Sequence, residues 1–189
     1  MLTHSEESPG SGGLGQNVSA TAPKSCNGCD LCCRLLEIRT LGKAPGRPCS
    51  HQRGCSGCGI HADKPAECAK FQCLWTLVGD LGEEWRPDRS GLLLWSDNPQ
   101  RLIVDVDPLT PTAWRNQPYL DQLRRWADRN IAAPIEVLVR VAGRIWVVFP
   151  EAEIELGPYS DDLAIDSGYR LKGRSLVPYA RFVQPATAA

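Results

Sequence analysis

No stretch of these 189 residues approaches the roughly 20 consecutive apolar residues of a membrane span. The N-terminus lacks the basic and apolar regions of a secretory signal, which points to a reducing, cytoplasmic setting. Charge of one sign is also missing: the net charge is -1, which gives no global signature of a nucleic-acid or anionic-membrane binder. Residues 1–23 contain no Lys or Arg, so they do not form a nucleic-acid-binding arm. They are rich in Ser and Gly without apolar periodicity, and a disordered tail is expected there. P-loop, GxGxxG, HExxH and GxSxG motifs are absent, and nothing pairs a nucleophile with a base. The 116 residues after Cys73 contain no cysteine at all.

Cysteine is instead concentrated. Cys26, Cys29, Cys32, Cys33, Cys49, Cys55, Cys58, Cys68 and Cys73 all fall within 48 residues, starting CNGCDLCC and ending FQC. In a reducing compartment such a cluster reads as metal ligands rather than disulfides, and the odd count of nine agrees. Soft thiolates suit zinc or an iron–sulfur cluster, and do not suit calcium or magnesium. The segment has few large hydrophobes and many Gly and Pro residues, so bound metal would supply stability that its own core lacks. The spacing of Cys26, Cys29 and Cys32 matches the start of a ferredoxin loop, which favours iron, but Leu36 stands at the fourth ferredoxin position. Cys32 and Cys33 are adjacent and point in different directions, so they serve two sites or one larger cluster. Residues 24–73 carry eight Lys or Arg and four Asp or Glu, a formal +4. Eight ionised cysteines would bring this to -4, which two zinc ions would neutralise.

CNGCDLCC, followed in order by PCSH, GCGIH, KPAEC and FQCLW, resembles the YkgJ-type cysteine-cluster family, a zinc- or iron-chelating domain with a CxxCxxCC signature. The resemblance covers about residues 24–76. WRPDRSGLLLW and the half that follows look like the longer bacterial members. The resemblance implies metal ligation by Cys26, Cys29, Cys32, Cys33, Cys49, Cys58, Cys68 and Cys73, with Cys55 an addition to the family pattern. A related cluster occurs in flagellin lysine methylases, so the module can accompany an enzyme. For His51, the C-x-H spacing allows a ligand role, though a supporting position beside the ligands is the plainer reading. His61 is expected to pack beside Cys58.

All six tryptophans lie from Trp75 onward, and this half can bury a core of its own. Strands are expected at 91–95, 101–106, 134–141 and 144–149, with a further one at 151–156. A helix is expected from Pro118 to Asn130, with Leu120, Leu123, Trp126 and Ala127 inward. In the cysteine segment short helices are expected at 29–37 and 64–71, the second capped by Asp63. The order β-β-α-β-β-β predicts an α+β fold: an irregular metal-stapled module at 24–76, then a small antiparallel sheet with one main helix at 77–189. Asp105 and Asp107 are expected at a solvated strand end before Pro108. The function expected is a metal-binding accessory or structural protein, not an enzyme, holding an iron–sulfur cluster or Zn2+. The alternatives are a redox or transfer enzyme, or a subunit of one, and a zinc-type nucleic-acid binder. A protein partner would meet the C-terminal half; neither a membrane nor a nucleic acid is expected.

Overall fold

The computed structural model describes residues 24–26, 28–128, 135–160 and 162–184, with Cys55 described by its backbone alone. The expected N-terminal tail and the far end of the expected helix lie outside these residues. Four short helices come first: α1 (Leu31–Leu35), α2 (Ala66–Lys70), α3 (Leu74–Leu77) and α4 (Pro87–Ser90). Strands β1 (Leu92–Asn98) and β2 (Arg101–Val106) follow, then α5 (Tyr119–Ala127), β3 (Glu136–Val141), β4 (Arg144–Val148) and β5 (Glu153–Pro158). A hairpin of β6 (Ala164–Lys172) and β7 (Ser175–Val183) completes the described chain. Among the described residues, no helix is long and apolar enough to cross a membrane.

Helices and sheet together make an α+β structure, but the sheet is not purely antiparallel. Its five strands stand in sequence order, and β2 pairs with β3 in parallel, Leu102 opposite Val137 and Val104 opposite Val139. Parallel pairing needs a crossover, and the long connection carrying α5 supplies one. The expected hairpin turn at Ala142-Gly143 is present, with φ of 49° and 77° at the two residues. That left-handed pair turns β3 into β4 with the twist a tight hairpin requires. The β6–β7 hairpin has no alternating pattern strong enough to be read from sequence. Its base packs Ile165, Ala180 and Phe182 against the sheet, while Leu171 and Leu176 near its tip stay exposed.

The side-chain period of two gives the sheet two faces. Leu92, Leu94, Val104, Val106, Val137, Val139 and Val141 pack with Trp75, Trp85, Trp114 and Leu123 to form the main core. Fully burying each such side chain is worth about 1.5–3 kcal/mol. The opposite face is divided. At the β1 edge, Leu31 and Leu35 of α1 close over Leu93. Toward β4 and β5, Leu138, Ile145, Val147 and Phe149 meet the base of the hairpin. Between these apolar patches lies a polar strip bearing Asp105 and Arg140.

The sheet therefore supplies the floor on which the cysteine segment is laid. Lys24 Nζ donates to the carbonyls of Val78 (2.7 Å) and Leu81, and it sits over the Trp75 ring. Arg34 of α1 reaches Asp107 just past β2 at 2.7 Å. These contacts fix the segment's first turn against the strand ends.

Candidate metal centre

The described cysteines all carry free thiols. The local fold explains how they are presented. Gly28 takes a φ of 80°, and the Cys29 amide donates to the Cys26 carbonyl at 2.9 Å, so the chain curls as α1 begins. Within α1, Leu31 and Leu35 lie one helical turn apart and point into the apolar contact with Leu93. Cys32 and Cys33 flank that stripe, separated by the roughly 100° that successive helical residues subtend.

Their neighbours differ accordingly. Cys29, Cys32 and Cys73 pack on the Leu31–Leu35–Leu93 cluster. Cys26 acts electrostatically on each of those three, so Cys26, Cys29, Cys32 and Cys73 form one neighbourhood. Cys68 of α2 instead feels Cys33, Cys49 and Cys58. The Cys49 amide donates to the Cys33 carbonyl at 3.0 Å, and an isolated bridge pairs Gln52 with Cys58. Cys33, Cys49, Cys58 and Cys68 thus form a second neighbourhood, joined to the first through the Cys32–Cys33 peptide.

The surroundings act on these thiols in opposite directions. Burial pushes the Cys29 and Cys73 thiols up, while backbone amides of Leu31 and Asp88, and of Trp75 and Thr76, donate to their sulfurs and pull back. Cys33 is lowered to about 7, first because Cys32 hydrogen-bonds to it, and also through Lys43 and Lys64. The same bond, together with burial, pushes Cys32 up. Lys43 is the unexpected member. It is only 8% exposed, and its Nζ donates to the carbonyls of Leu36 and Ala44 (3.3 Å). Burial lowers its pKa, and the acidic groups acting on it are Cys49, Cys33, Cys32 and Cys68. A buried ammonium needs an anion near it. Cys49, Cys33, Cys32 and Cys68, drawn from both neighbourhoods, are the acidic groups placed to provide one. Four thiolates in each neighbourhood are also the complement of a closed zinc site or of an iron–sulfur cluster. Among the described residues, no group of three or more His, Cys, Asp or Glu side chains is placed so that it could hold a metal ion.

Other expected positions fall as follows. The His51 carbonyl accepts the Gly59 amide at 2.8 Å, which holds the loop between Cys49 and Cys58. His61 is exposed rather than packed beside Cys58. Helix α2 starts after Pro65, not Asp63. The side chain of Cys55 lies outside the described residues.

Asp105 and Asp107 require a correction, because they are 8% and 7% exposed and not solvated. Each is drawn in by a guanidinium that arrives from elsewhere in the fold, which sequence spacing does not show. Asp105 accepts Arg140 Nε and Nη2 at 2.6 and 2.7 Å, and the Trp95 indole N–H at 2.8 Å. Asp107 accepts Arg34 and caps the Leu109 amide at 3.0 Å. Beside the Asp105–Arg140 pair opens a cavity of about 720 Å3, lined by Cys32, Cys33 and Cys68 on one side and by Trp95, Val141 and Tyr159 on the other. Sequence reasoning missed this cavity, since its two walls come from segments that are not neighbours in the chain.

No protein-family model matches the chain, and neither curated proteins nor solved structures give a match.

Proposed function

We propose that this is a metal-binding protein with two tetrathiolate centres, one on Cys26, Cys29, Cys32 and Cys73 and the other on Cys33, Cys49, Cys58 and Cys68. The observation that supports this reading is that Cys26 acts on Cys29, Cys32 and Cys73 while Cys33, Cys49 and Cys58 act on Cys68, with the Cys32–Cys33 hydrogen bond crossing between the two groups. The split also resolves the adjacent pair, since Cys32 and Cys33 each complete a different group. Zinc would act as a structural staple, whereas an iron–sulfur cluster would supply one-electron chemistry. The backbone amides aimed at Cys29 and Cys73 favour the thiolate at those sulfurs. Lys43 would balance negative charge at Cys33, Cys49 and Cys68 and at Cys32 of the first group. The accessory or structural role expected of a YkgJ-type cluster agrees with a segment stapled onto the rim of a sheet.

A second reading, a redox or transfer enzyme, is favoured by one observation: the cavity places Cys32, Cys33 and Cys68 beside a space large enough for a small molecule.

The test is anaerobic purification followed by analysis for zinc, iron and sulfide, repeated on Cys29→Ser and Cys68→Ser. Each variant should lose about half of the bound metal, and the double variant nearly all of it. Brown colour with sulfide decides for iron–sulfur; colourless protein with stoichiometric zinc decides for zinc. Metal-free wild-type protein, or a single variant that loses everything, would refute the two-centre assignment.

A further inference from the structure

The cavity between the cysteine segment and the second face of the sheet has features that metal ligation does not require. Its floor is the Asp105–Arg140 pair, set between two apolar patches of the sheet where an aliphatic pair would pack with less desolvation. Aromatic side chains surround that floor. The Arg140 guanidinium lies 5.3 Å from the Trp95 ring centre and 5.4 Å from that of Tyr159, and Phe71 meets Trp95 edge-on at 6.1 Å. Leu36 forms part of the opposite wall.

Several ionic groups at the site already have a partner of opposite charge. Arg140 is bound to Asp105, Arg144 to Glu155 at 2.5 Å, and Glu37 to Arg39 at 3.1 Å. The Glu67 carboxylate, at the exposed rim, accepts the Thr40 amide at 3.3 Å. The Arg144 and Glu37 pairs are exposed and cheap to break, but a charged ligand reaching the floor would have to break the Asp105–Arg140 pair or lie there without a counter-ion, and either is costly. Hydrogen-bonding capacity remains at the Asp105 carboxylate. Among the described residues, Oδ2 accepts both the Trp95 indole and Arg140, while Oδ1 accepts Arg140 Nε alone. A carboxylate oxygen has two lone-pair directions, so Oδ1 can take one further donor.

We infer that this cavity binds an uncharged aromatic molecule whose hydroxyl or N–H donates to Asp105 Oδ1, with its ring against Trp95 and Tyr159. The volume, about 720 Å3, lies within the range of small-molecule sites. Through the same cavity the ligand would lie beside Cys32, Cys33 and Cys68, which makes occupancy and the state of the thiols sensitive to each other. The inference stands on the cavity and its charge pairing, so it does not depend on which metal the thiols hold.

The probe is 2-naphthol, titrated into the full chain and followed by fluorescence, with metal content measured on the same sample. One saturable site per chain is expected, with a shift of the Trp95 indole N–H resonance in protein-observed NMR. Leu36→Trp, which fills the wall, and Pro108→Trp, at the exposed rim, should each weaken binding at least tenfold while the thermal melt is retained. 2-Naphthalenesulfonate, of the same shape but charged, should bind at least tenfold more weakly than 2-naphthol. Absence of a saturable site, an unmoved Trp95 resonance, or wild-type affinity in a folded blocking variant would overturn the site. Equal affinity for the sulfonate would overturn the assignment of an uncharged ligand.

Discussion

Replacing Arg140 with methionine tests whether the polar strip is held by its ion pair. The side chains of Arg140 and Asp105 are 22% and 12% exposed, and the fork makes two short bonds to one carboxylate. Arg140→Met keeps most of the aliphatic volume and removes both bonds. It leaves Asp105 with the Trp95 indole N–H, 2.8 Å away, as its remaining side-chain donor among the described residues. Breaking a buried pair from one side costs about 3–5 kcal/mol, because the surviving charge stays desolvated. Partial exposure of both groups places this pair at the lower end, about 3 kcal/mol. That corresponds to roughly a 150-fold shift in the folding equilibrium. Urea unfolding followed by tryptophan fluorescence would read the loss as a lower midpoint at unchanged slope. The double variant Asp105→Asn with Arg140→Met leaves no buried charge and should recover at least half of the loss. A single-variant cost below about 1 kcal/mol, in the range of an exposed pair, or a double variant as unstable as the single one, would refute this account.

Further outcomes follow from the packing and the thiols. Leu31→Ala removes a fully buried side chain from the contact with Leu93 and should cost about 2–5 kcal/mol in the same unfolding assay. Chelation under reducing conditions should raise amide hydrogen exchange across residues 24–73 while the amides of β2, β3 and β4 stay protected, because that core buries its own apolar face; equal loss in both regions would contradict it. Tyr169 is pushed up to about 12 by burial and by its hydrogen bond to Glu151, so folding favours its protonated form. The stability it contributes is complete below pH about 10 and is lost as pH rises through about 12. An ultraviolet titration should show a phenolate step near pH 12 that Tyr169→Phe abolishes. Leu171→Ser at the exposed hairpin tip should change stability by less than about 0.5 kcal/mol.

The sequence made some of this legible and hid the rest for identifiable reasons. The turn at 96–99 announced β2, alternation over 135–141 announced β3, and the inward set Leu120, Leu123, Trp126 and Ala127 announced α5. Their parallel pairing was hidden, because periodicity reports which face a residue occupies and not which strand lies beside it. The cysteines pointed to thiolate chemistry by type and spacing. The proposed division into two groups was not readable, since it depends on bringing Cys73 to Cys29 and Cys68 to Cys33. Asp105 and Asp107 looked like ordinary polar residues before a proline. Their burial depends on Arg140 and Arg34, 35 and 73 residues away, and no local window contains both partners. Lys43 was equally silent, because a lone lysine in a Gly- and Pro-rich stretch gives no sign of enclosure.

The anchoring of α1 has a consequence for how the chain is made. Leu31 and Leu35 rest on Leu93, and Arg34 is held by Asp107, 73 positions later. Synthesis runs from the N-terminus at about 5–20 residues per second, so the thiols emerge roughly 4–15 seconds before their seat exists. During that interval the CxxCxxCC stretch is an unsupported peptide, open to oxidation and to any passing thiophilic ion. On the proposed metal-binding reading, the order of translation sets a race between capture of the correct metal and damage to the sulfurs, and the arrival of β1 and the end of β2 closes it.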